Sequence, residues 1–240
     1  MSTSQNAAKA AAKTARQALP KVPAQQLKRA SKAAPKPYHK GNVAEDLFAS
    51  AWRLIETEGL DSITVRRLCR DVGVTAANFY NHYPSLEHLL LDLAAAGMEA
   101  LRTLNETVIR RARSRQDQLV ATTVHIVEFS IDHPDLFRVM FGQLADSEKH
   151  ERYYTTAGAS FAGLVQMIYG EDLYRPDDVA WSHAHAKKAY AFFAFAYGLA
   201  RLVSMRLYTF PSETKAERQQ FTKELALTFV QGLGDLEPSV

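Results

Sequence analysis

The chain is poor in cysteine and has no long apolar run. Its single cysteine, Cys69, excludes an internal disulfide and fits a reducing compartment; we expect it to be a small packing residue on a buried helix face. The most apolar run, residues 189–200, has twelve residues, whereas a membrane-spanning helix needs about 20. The first residues also lack the apolar segment of a signal peptide. A soluble cytoplasmic protein without a membrane partner is therefore expected.

The signatures of common enzyme and metal sites are missing as well. The chain contains no glycine-rich phosphate loop, no HExxH helix and no GxSxG nucleophile turn. His183 and His185 lie two residues apart, but no cysteine or carboxylate cluster accompanies them. We expect a protein that is not an enzyme and that has neither a metal site nor a cofactor.

Acidic residues are absent from the first forty positions, which hold nine of the 29 lysines and arginines. The remaining 20 basic residues are outnumbered by 26 acidic ones, so residues 41–240 carry a net charge of −6. Prolines interrupt residues 1–40, and large apolar side chains are scarce there, so we expect this segment to be disordered. It is either a basic arm that contacts DNA phosphates or a minor groove, or a solvated tail without a specific role.

The rest of the chain has the apolar periodicity of helices and no alternating strand pattern. Helices are predicted over residues 43–58, 65–71, 76–83, 86–111, 116–131, 136–143, 147–169, 177–208 and 213–232. Asn42, Thr64 and Thr75 are the predicted N-terminal caps of the first three helices. Glu45 is the predicted capping-box partner of Asn42.

Residues 61–91 have the layout of a helix-turn-helix followed by a longer helix. The two short helices are joined by Val72-Gly73-Val74, and Gly73 suits this turn because it adopts a positive φ without a Cβ clash. The second short helix opens at Thr75, and Pro84-Ser85 precedes the long helix. In this arrangement the second helix enters the major groove of DNA.

The same stretch closely resembles the DNA-binding domain of the TetR family of bacterial repressors over residues 43–92. The matching residues are Gly59, Thr64-Val65-Arg66, Gly73-Val74-Thr75, Ser85, Glu87, Leu89 and Leu90, and Phe79-Tyr80-Asn81-His82-Tyr83 stand where the family usually has Leu-Tyr-x-His-Phe. Leu86 departs from the pattern, because the family often has a lysine there that contacts phosphate. The resemblance therefore implies that one phosphate contact per subunit is missing. The basic arm is a candidate to supply it.

The predicted DNA-contacting residues surround the second short helix. They are Thr64, Arg66, Thr75, Ala76, Ala77, Asn78, Tyr80, Asn81 and His82. Asparagine side chains suit adenine, and alanine methyl groups suit the methyl group of thymine. The resemblance implies phosphate contacts for Tyr80 and His82. Arg66 matches a position from which some family members reach a guanine, and its alternative is a solvated or phosphate-bound arginine.

Residues 133–141, which read HPDLFRVMF, resemble a C-terminal domain type found in many TetR members. That type carries a Trp…His-Gly signature, of which this chain keeps only Gly198. A mostly apolar effector pocket with a few polar groups is expected in this part of the chain. The candidates, each of which is otherwise a core residue, are His125, Phe129, Met140, Phe141, Tyr154, Phe161, Trp181, His185, Tyr190 and Phe193.

An apolar stripe recurs at four-residue steps in the last predicted helix. Its members are Phe221, Leu225, Phe229 and Leu233. They form either the interface of a homodimer or part of an intramolecular core. A two-fold dimer would read two half-sites one helical turn apart, about 34–36 Å.

These features predict an all-α protein with three parts. Residues 1–40 are the basic arm, residues 41–92 the three-helix DNA-binding domain, and residues 93–240 a helical bundle for effector binding and dimerisation. The predicted function is a homodimeric repressor that binds a palindromic operator in double-stranded DNA and responds to a small apolar or aromatic effector. The alternative is a nucleoid-type interaction protein that uses the same head and arm and docks a protein instead of a small molecule.

Overall fold

A computed structural model describes residues 42–142, 149–170, 183–205 and 214–234. These ranges contain nine α-helices, one short 3-10 helix and no β-strand, so the predicted all-α fold is confirmed. The basic arm, Trp181 and the side chain of His185 lie outside the described residues. No helix within the described ranges is long and apolar enough to cross a membrane.

The helices are numbered in chain order. Their bounds are α1 Val43–Thr57, α2 Val65–Val72, α3 Ala76–Tyr80, α4 Leu86–Ile109, α5 Arg115–Asp132, α6 Pro134–Met140, α7 Glu151–Tyr169, α8 His183–Ser204 and α9 Lys215–Gly232. The 3-10 helix, Leu60–Ser62, lies between α1 and α2. Helix α3 ends three residues earlier than the predicted Tyr83.

The chain divides into two compact units. The first unit holds the described residues up to Ala100 together with those of the segment Asp135–Tyr154. The second unit holds Leu101–Pro134 and the described residues from Thr155 onward. Helix α6 thus belongs to the same unit as the helix-turn-helix, although more than fifty residues separate them in sequence.

The core of the first unit is built from leucines, two phenylalanines and one methionine. The fully buried side chains are Leu47, Leu54, Leu68, Phe79, Leu89, Leu91, Leu93, Leu136, Phe137 and Met140. Helix α6 packs closely on α4 at Gly97, where a Cβ would lie 2.8 Å from the sulfur of Met140. A larger residue at this position would push the two helices apart.

The prediction that the Asn42 side chain caps the backbone of α1 is wrong. Asn42 makes no side-chain hydrogen bond to the backbone of the helix. Its Nδ2 donates to the carboxylate of Glu45 instead. The asparagine and the glutamate therefore bind each other, and the capping box predicted from their spacing does not form.

The second unit is organised around α5, which packs against both α8 and α9. Its buried core consists of Leu119, Val120, Leu164, Val165, Met167, Ile168, Ala189, Phe192, Ala196, Ala226 and Val230. The hydroxyl of Ser130 donates to the carbonyl of Ala200 at 3.2 Å and ties α5 to α8. Thr214 and Glu217 form a complete capping box at the start of α9, which satisfies otherwise unpaired backbone amides there.

A nearly buried ion pair joins α5 to α9. The Glu128 side chain is only 10% exposed, and its two oxygens accept hydrogen bonds from Arg218 at 2.8 and 3.1 Å. Lys215 Nζ lies 3.2 Å from the same carboxylate. Because this carboxylate is desolvated, it depends on both cations, and the guanidinium depends on it in turn.

Replacement of Glu128 by alanine should therefore destabilise the second unit by about 2–4 kcal/mol, since Arg218 would lose its carboxylate while half-buried. The free energy of unfolding is measured by urea denaturation, and the two variants are compared provided that its dependence on urea concentration is unchanged. The control is Glu224→Ala, which removes the exposed partner of Gln220 on the same helix and should change the free energy of unfolding by less than about 0.5 kcal/mol. Equal losses in the two variants would show that the buried pair adds nothing.

Candidate nucleic-acid interface

Helix α2 and the turn after it have the local geometry that the sequence predicts. The hydroxyl of Thr64 accepts a hydrogen bond from the backbone of Arg67 at 3.1 Å and caps α2. Gly73 ends the helix in the left-handed region, at φ 80° and ψ 33°. Its amide and that of Val74 both donate to the carbonyl of Cys69 at 2.9 Å, so the turn leaves these backbone groups satisfied.

Helix α3 is short and is held at its N-terminus by two hydrogen bonds. The Thr75 hydroxyl accepts from the backbone of Asn78 at 3.2 Å. The Cys69 thiol lies 3.5 Å from the Thr75 carbonyl and donates to it. Burial raises the pKa of the Cys69 thiol, which keeps it protonated as the donor. Cys69 is thus a small buried residue of α2, as expected.

One aromatic side chain anchors α3 to the head. Phe79 is fully buried, and its ring lies 5.2 Å from that of Tyr80 and 5.8 Å from that of Tyr83. The Tyr83 hydroxyl donates to the carbonyl of Ala44 in α1 at 3.4 Å. With Phe79 inward, the other side chains of this short helix point away from the core.

The predicted DNA-contacting residues lie together on α2, α3 and their flanks. Eight of them are exposed, namely Thr64, Arg66, Thr75, Ala76, Ala77, Tyr80, Asn81 and His82, and Asn78 is half-buried. Tyr80 is 56% exposed, although it is a large aromatic residue in a small helix. The arrangement leaves hydroxyl, amide, imidazole and methyl groups accessible along one continuous segment.

The four arginines of the head fall into two pairs with different surroundings. Arg67 donates two hydrogen bonds to Glu58 at 2.8 Å each and lies 3.1 Å from Asp71. Arg53 lies 2.7 Å from the same Asp71. In the described part of the chain Arg66 makes no ion pair, and the Arg70 side chain is 70% exposed. Two of the four cations therefore hold α1 to α2 and are not available to phosphates.

This division was not predicted from the sequence. The spacing of Arg67 and Asp71 is the signal that was available, because residues four apart share a helix face. The partner Glu58 lies at the end of another helix, and only the folded chain brings it to Arg67. The Arg67 hydrogen bonds lower the pKa of Glu58, and those of Glu58 and Asp71 raise the pKa of Arg67.

The effector candidates are distributed over both units. In the first unit Met140 is buried and Phe141 half-buried, whereas Tyr154 is 63% exposed. In the second unit Phe129 is buried, His125 and Phe161 are half-buried, and Tyr190 and Phe193 are exposed. The rings of Phe161 and Tyr190 lie 5.1 Å apart, and burial lowers the pKa of His125. The structure thus brings together only part of the predicted set.

The four residues of the predicted dimer stripe on α9 are all half-buried. The ring of Phe229 stacks on Phe195 of α8, with centroids 4.1 Å apart, so part of this stripe packs within the second unit. More strongly exposed apolar side chains lie on α8 and at the residue that follows it. They are Tyr190, Phe193, Leu202 and Met205. Within the described residues, no group of three His, Cys, Asp or Glu side chains is placed to hold a metal ion.

The geometry of α2, the Gly73 turn and α3 defines a helix-turn-helix protein. Residues 47–93 match the profile of bacterial regulatory proteins of the tetR family. The resemblance to the TetR DNA-binding domain noted in the sequence is thus confirmed over these residues.

Relatives with assigned names match part of the chain. It is 29% identical over 104 residues to the nucleoid occlusion factor SlmA of Vibrio campbellii, which is 43% of this chain and 53% of that protein. The SlmA of Vibrio atlanticus is 28% identical over the same length. The chain thus spans about half the length of the curated relatives it matches.

Solved structures share the fold over most of the chain. A Rhodococcus sp. RHA1 protein of unknown function has a TM-score of 0.63 at 23% identity and covers 83% of this chain and 100% of its own. The resorcinol complex of RolR has a TM-score of 0.53 at 15% identity and covers 82% and 96%. At these identities the likeness shows that the helical architecture is shared.

The Arg67–Glu58 pair should give a pH-dependent contribution to stability. Because the folded-state pKa of Glu58 is lowered, its contribution is present above the unfolded pKa and is lost as pH falls through the folded value. Arg67→Gln should raise the pKa of Glu58 toward 4.5. Arg67→Gln should also reduce the amount by which the free energy of unfolding falls between neutral and acidic pH.

The pKa is measurable by carbon NMR titration of the Glu58 carboxyl, with urea unfolding at both pH values. Arg70→Gln is the matched control, since Arg70 approaches Asp71 only at 3.9 Å and should leave Glu58 unchanged. An unchanged Glu58 pKa in Arg67→Gln would contradict the role of this pair.

Proposed function

We propose that the protein is a DNA-binding transcriptional regulator that acts as a homodimeric, ligand-responsive repressor. The observation that carries the proposal is the exposed α3, anchored by Phe79 and capped by Thr75. A short helix fixed in this way presents its side chains in a constant orientation. Two such helices in a dimer would occupy successive major grooves of a palindromic operator and block a promoter.

Base reading is assigned to α3 and to Asn81, which follows it. Asn78 and Asn81 would pair with adenine edges, and Ala76 and Ala77 would contact a thymine methyl group. Contacts to the phosphates would come from the exposed Tyr80, together with His82, Thr64 and Thr75. Arg66, which makes no ion pair within the described residues, would reach a guanine or a phosphate.

The charge distribution supports a role for the basic arm. Affinity for DNA depends strongly on the neutralisation of phosphates by lysine and arginine. Arg53 and Arg67 are engaged in ion pairs, and Leu86 replaces a phosphate-contacting lysine of the family pattern. The nine basic residues of the arm would supply the charge that the head lacks.

Homodimerisation would use α8 and α9. The exposed apolar side chains of α8 are numerous for a single helix, and Phe193 stacks on Tyr197 with centroids 5.9 Å apart. Leu227 adds a further exposed apolar group on α9. If these side chains form one apolar surface in a dimer, that surface would be typical of an interface. The half-buried stripe from Phe221 to Leu233 would form the edge of the same interface.

A small apolar or aromatic effector would bind in the second unit. Two buried polar atoms there, Asn105 Oδ1 and Thr222 Oγ1, have no hydrogen-bond partner among the described residues, and buried polar groups of this kind are suited to a ligand or a water molecule. The structurally similar RolR was crystallised with resorcinol, an aromatic diol. The effector would favour a dimer conformation in which the two DNA-binding heads are separated by a distance that no longer fits the operator. It must bind this conformation more tightly than the DNA-binding one, because equal affinity for both would shift no equilibrium. Helix α4 would carry the change.

The second candidate function is a DNA-associated interaction protein. The similarity to nucleoid occlusion factors in two Vibrio species favours it. In this case the same head and arm would bind DNA at many sites, and the body would dock a protein. Binding to many DNA sites, with an affinity that no small molecule changes, would support this function over the first.

Tyr80→Ala and Asn78→Ala should each lower operator affinity by a factor of about 10–100, because each removes one contact of the reading helix. Neither side chain belongs to the buried core, so the dimer mass and the unfolding temperature should not change. Fluorescence anisotropy with the operator and analytical ultracentrifugation check the two expectations. Gln220→Ala, on α9, is the control. If either variant loses its fold or its dimer, the assignment to DNA contact fails.

Removal of the arm should weaken DNA binding in a salt-dependent way. Full-length protein and a shortened protein beginning at Lys40 are compared on the DNA flanking the gene, across a salt series. If both bind one near-palindrome, and the arm steepens the slope of log affinity against log salt by about 0.9 per phosphate engaged, the repressor is supported. Weak, non-specific and arm-dependent binding would favour the interaction protein.

A further inference from the structure

The segment HPDLFRVMF contains a carboxylate that binds the loop between α1 and α2. Asp135 Oδ2 accepts a hydrogen bond from the backbone amide of Leu60 at 3.2 Å, across 75 positions of sequence. Both residues belong to the first unit. The sequence alone gives no reason to join them, and the proposed function does not use the bond.

The Leu60 amide needs this acceptor because of where it lies. It is the first amide of the 3-10 helix Leu60–Ser62, and the amides at the start of a helix have no acceptor within it. The preceding residue, Gly59, has no side chain and makes no cap. Asp135 therefore supplies from α6 the cap that the local sequence lacks.

Gly59 is matched to this role in two ways. Its φ of +88° is a conformation that residues with a Cβ rarely adopt. A Cβ on Gly59 would also lie 2.7 Å from Asp135 Oδ2, which is too close for the carboxylate to stay in place. The glycine thus allows the approach on which the hydrogen bond depends.

The carboxylate is itself held in position by the packing of α6. Leu136, Phe137 and Met140 are buried in the first unit, and Met140 contacts Gly97 of α4. Arg138 lies 3.6 Å from Asp135 and 3.3 Å from Asp61. Asp61 is 98% exposed, so its pair with Arg138 is a surface contact, whereas the Asp135–Leu60 bond joins packed elements.

The capped turn leads directly into the DNA-reading part of the head. Ile63, which is buried, donates to the Leu60 carbonyl at 3.0 Å, and the next residue is Thr64, the cap of α2. We infer that Asp135 is a positioning residue for DNA recognition: it fixes the turn that sets where α2 begins, and thereby where Thr64 and Arg66 lie. This inference rests on the proposed DNA binding.

The test compares Asp135→Ala, Asp135→Asn and Asp61→Asn in the full-length protein. Two affinities are measured, for the operator that the wild type selects from random duplexes and for an unrelated duplex of equal length. Asp135→Ala should lower the affinity for the operator about tenfold and the affinity for the unrelated duplex less than about twofold. The substitution changes where the base-reading side chains lie, but it removes none of the basic side chains that attract phosphates. Asp135→Asn keeps an acceptor oxygen and should stay near the wild type, as should Asp61→Asn.

Hydrogen exchange of the peptide that covers residues 59–64 gives a readout that needs no DNA. Asp135→Ala should speed the exchange of the Leu60 amide, with the helical content and dimer mass unchanged. Wild-type operator affinity in Asp135→Ala, or equal losses on both duplexes with loss of helix, would overturn the inference. If the wild type prefers no sequence, the proposed function fails, while the exchange rate still decides whether the Asp135–Leu60 bond holds the turn.

Discussion

The burial of the Phe79 ring determines which side chains of α3 the head exposes. Helix α3 has only five residues, too few to be stable alone, because helix nucleation is costly and short helices depend on packing. One fully buried side chain therefore fixes the rotation of the helix about its axis. Rotation by a single residue would place Asn78 or Tyr80 in the core and Phe79 in water. The caps at Thr64 and Thr75 act on a helix pair whose orientation this ring has already set.

An arginine of the head can either form an ion pair within the head or, in the proposed function, bind a DNA phosphate. An ion pair between side chains that are this exposed contributes little to stability, yet it engages a guanidinium that would otherwise bind phosphate. Arg67 has two carboxylates within hydrogen-bonding distance, Glu58 and Asp71, and release from both for one phosphate would gain little. In the proposed function, a basic arm on an acidic head would resolve this competition, because the arm would supply non-specific attraction to DNA and the head would supply the geometry of reading.

The sequence predicts most of the head because its signals are local. Thr64, Gly73 and Thr75 act on backbone groups within a few residues, so their roles follow from spacing, and the structure shows each of them. Contacts between distant parts of the chain are different. The Arg67–Glu58 pair and the Asp135–Leu60 bond depend on how helices pack, and no periodicity indicates them. The Asn42 cap fails for a related reason: a side chain that can bond the backbone can also bond Glu45, and spacing alone does not decide between the two.

The body shows why an apolar stripe does not by itself identify an interface. The four-residue repeat on α9 predicts one face, but that face is half-buried, and Phe229 already stacks on Phe195 within the same unit. The exposed apolar groups lie mainly on α8, whose sequence is apolar on nearly every side. Periodicity identifies which residues avoid water. Whether the same chain or a second copy covers them depends on packing, and the exposure of Tyr190 and Leu202 within the second unit is why we propose α8 as the centre of a dimer interface.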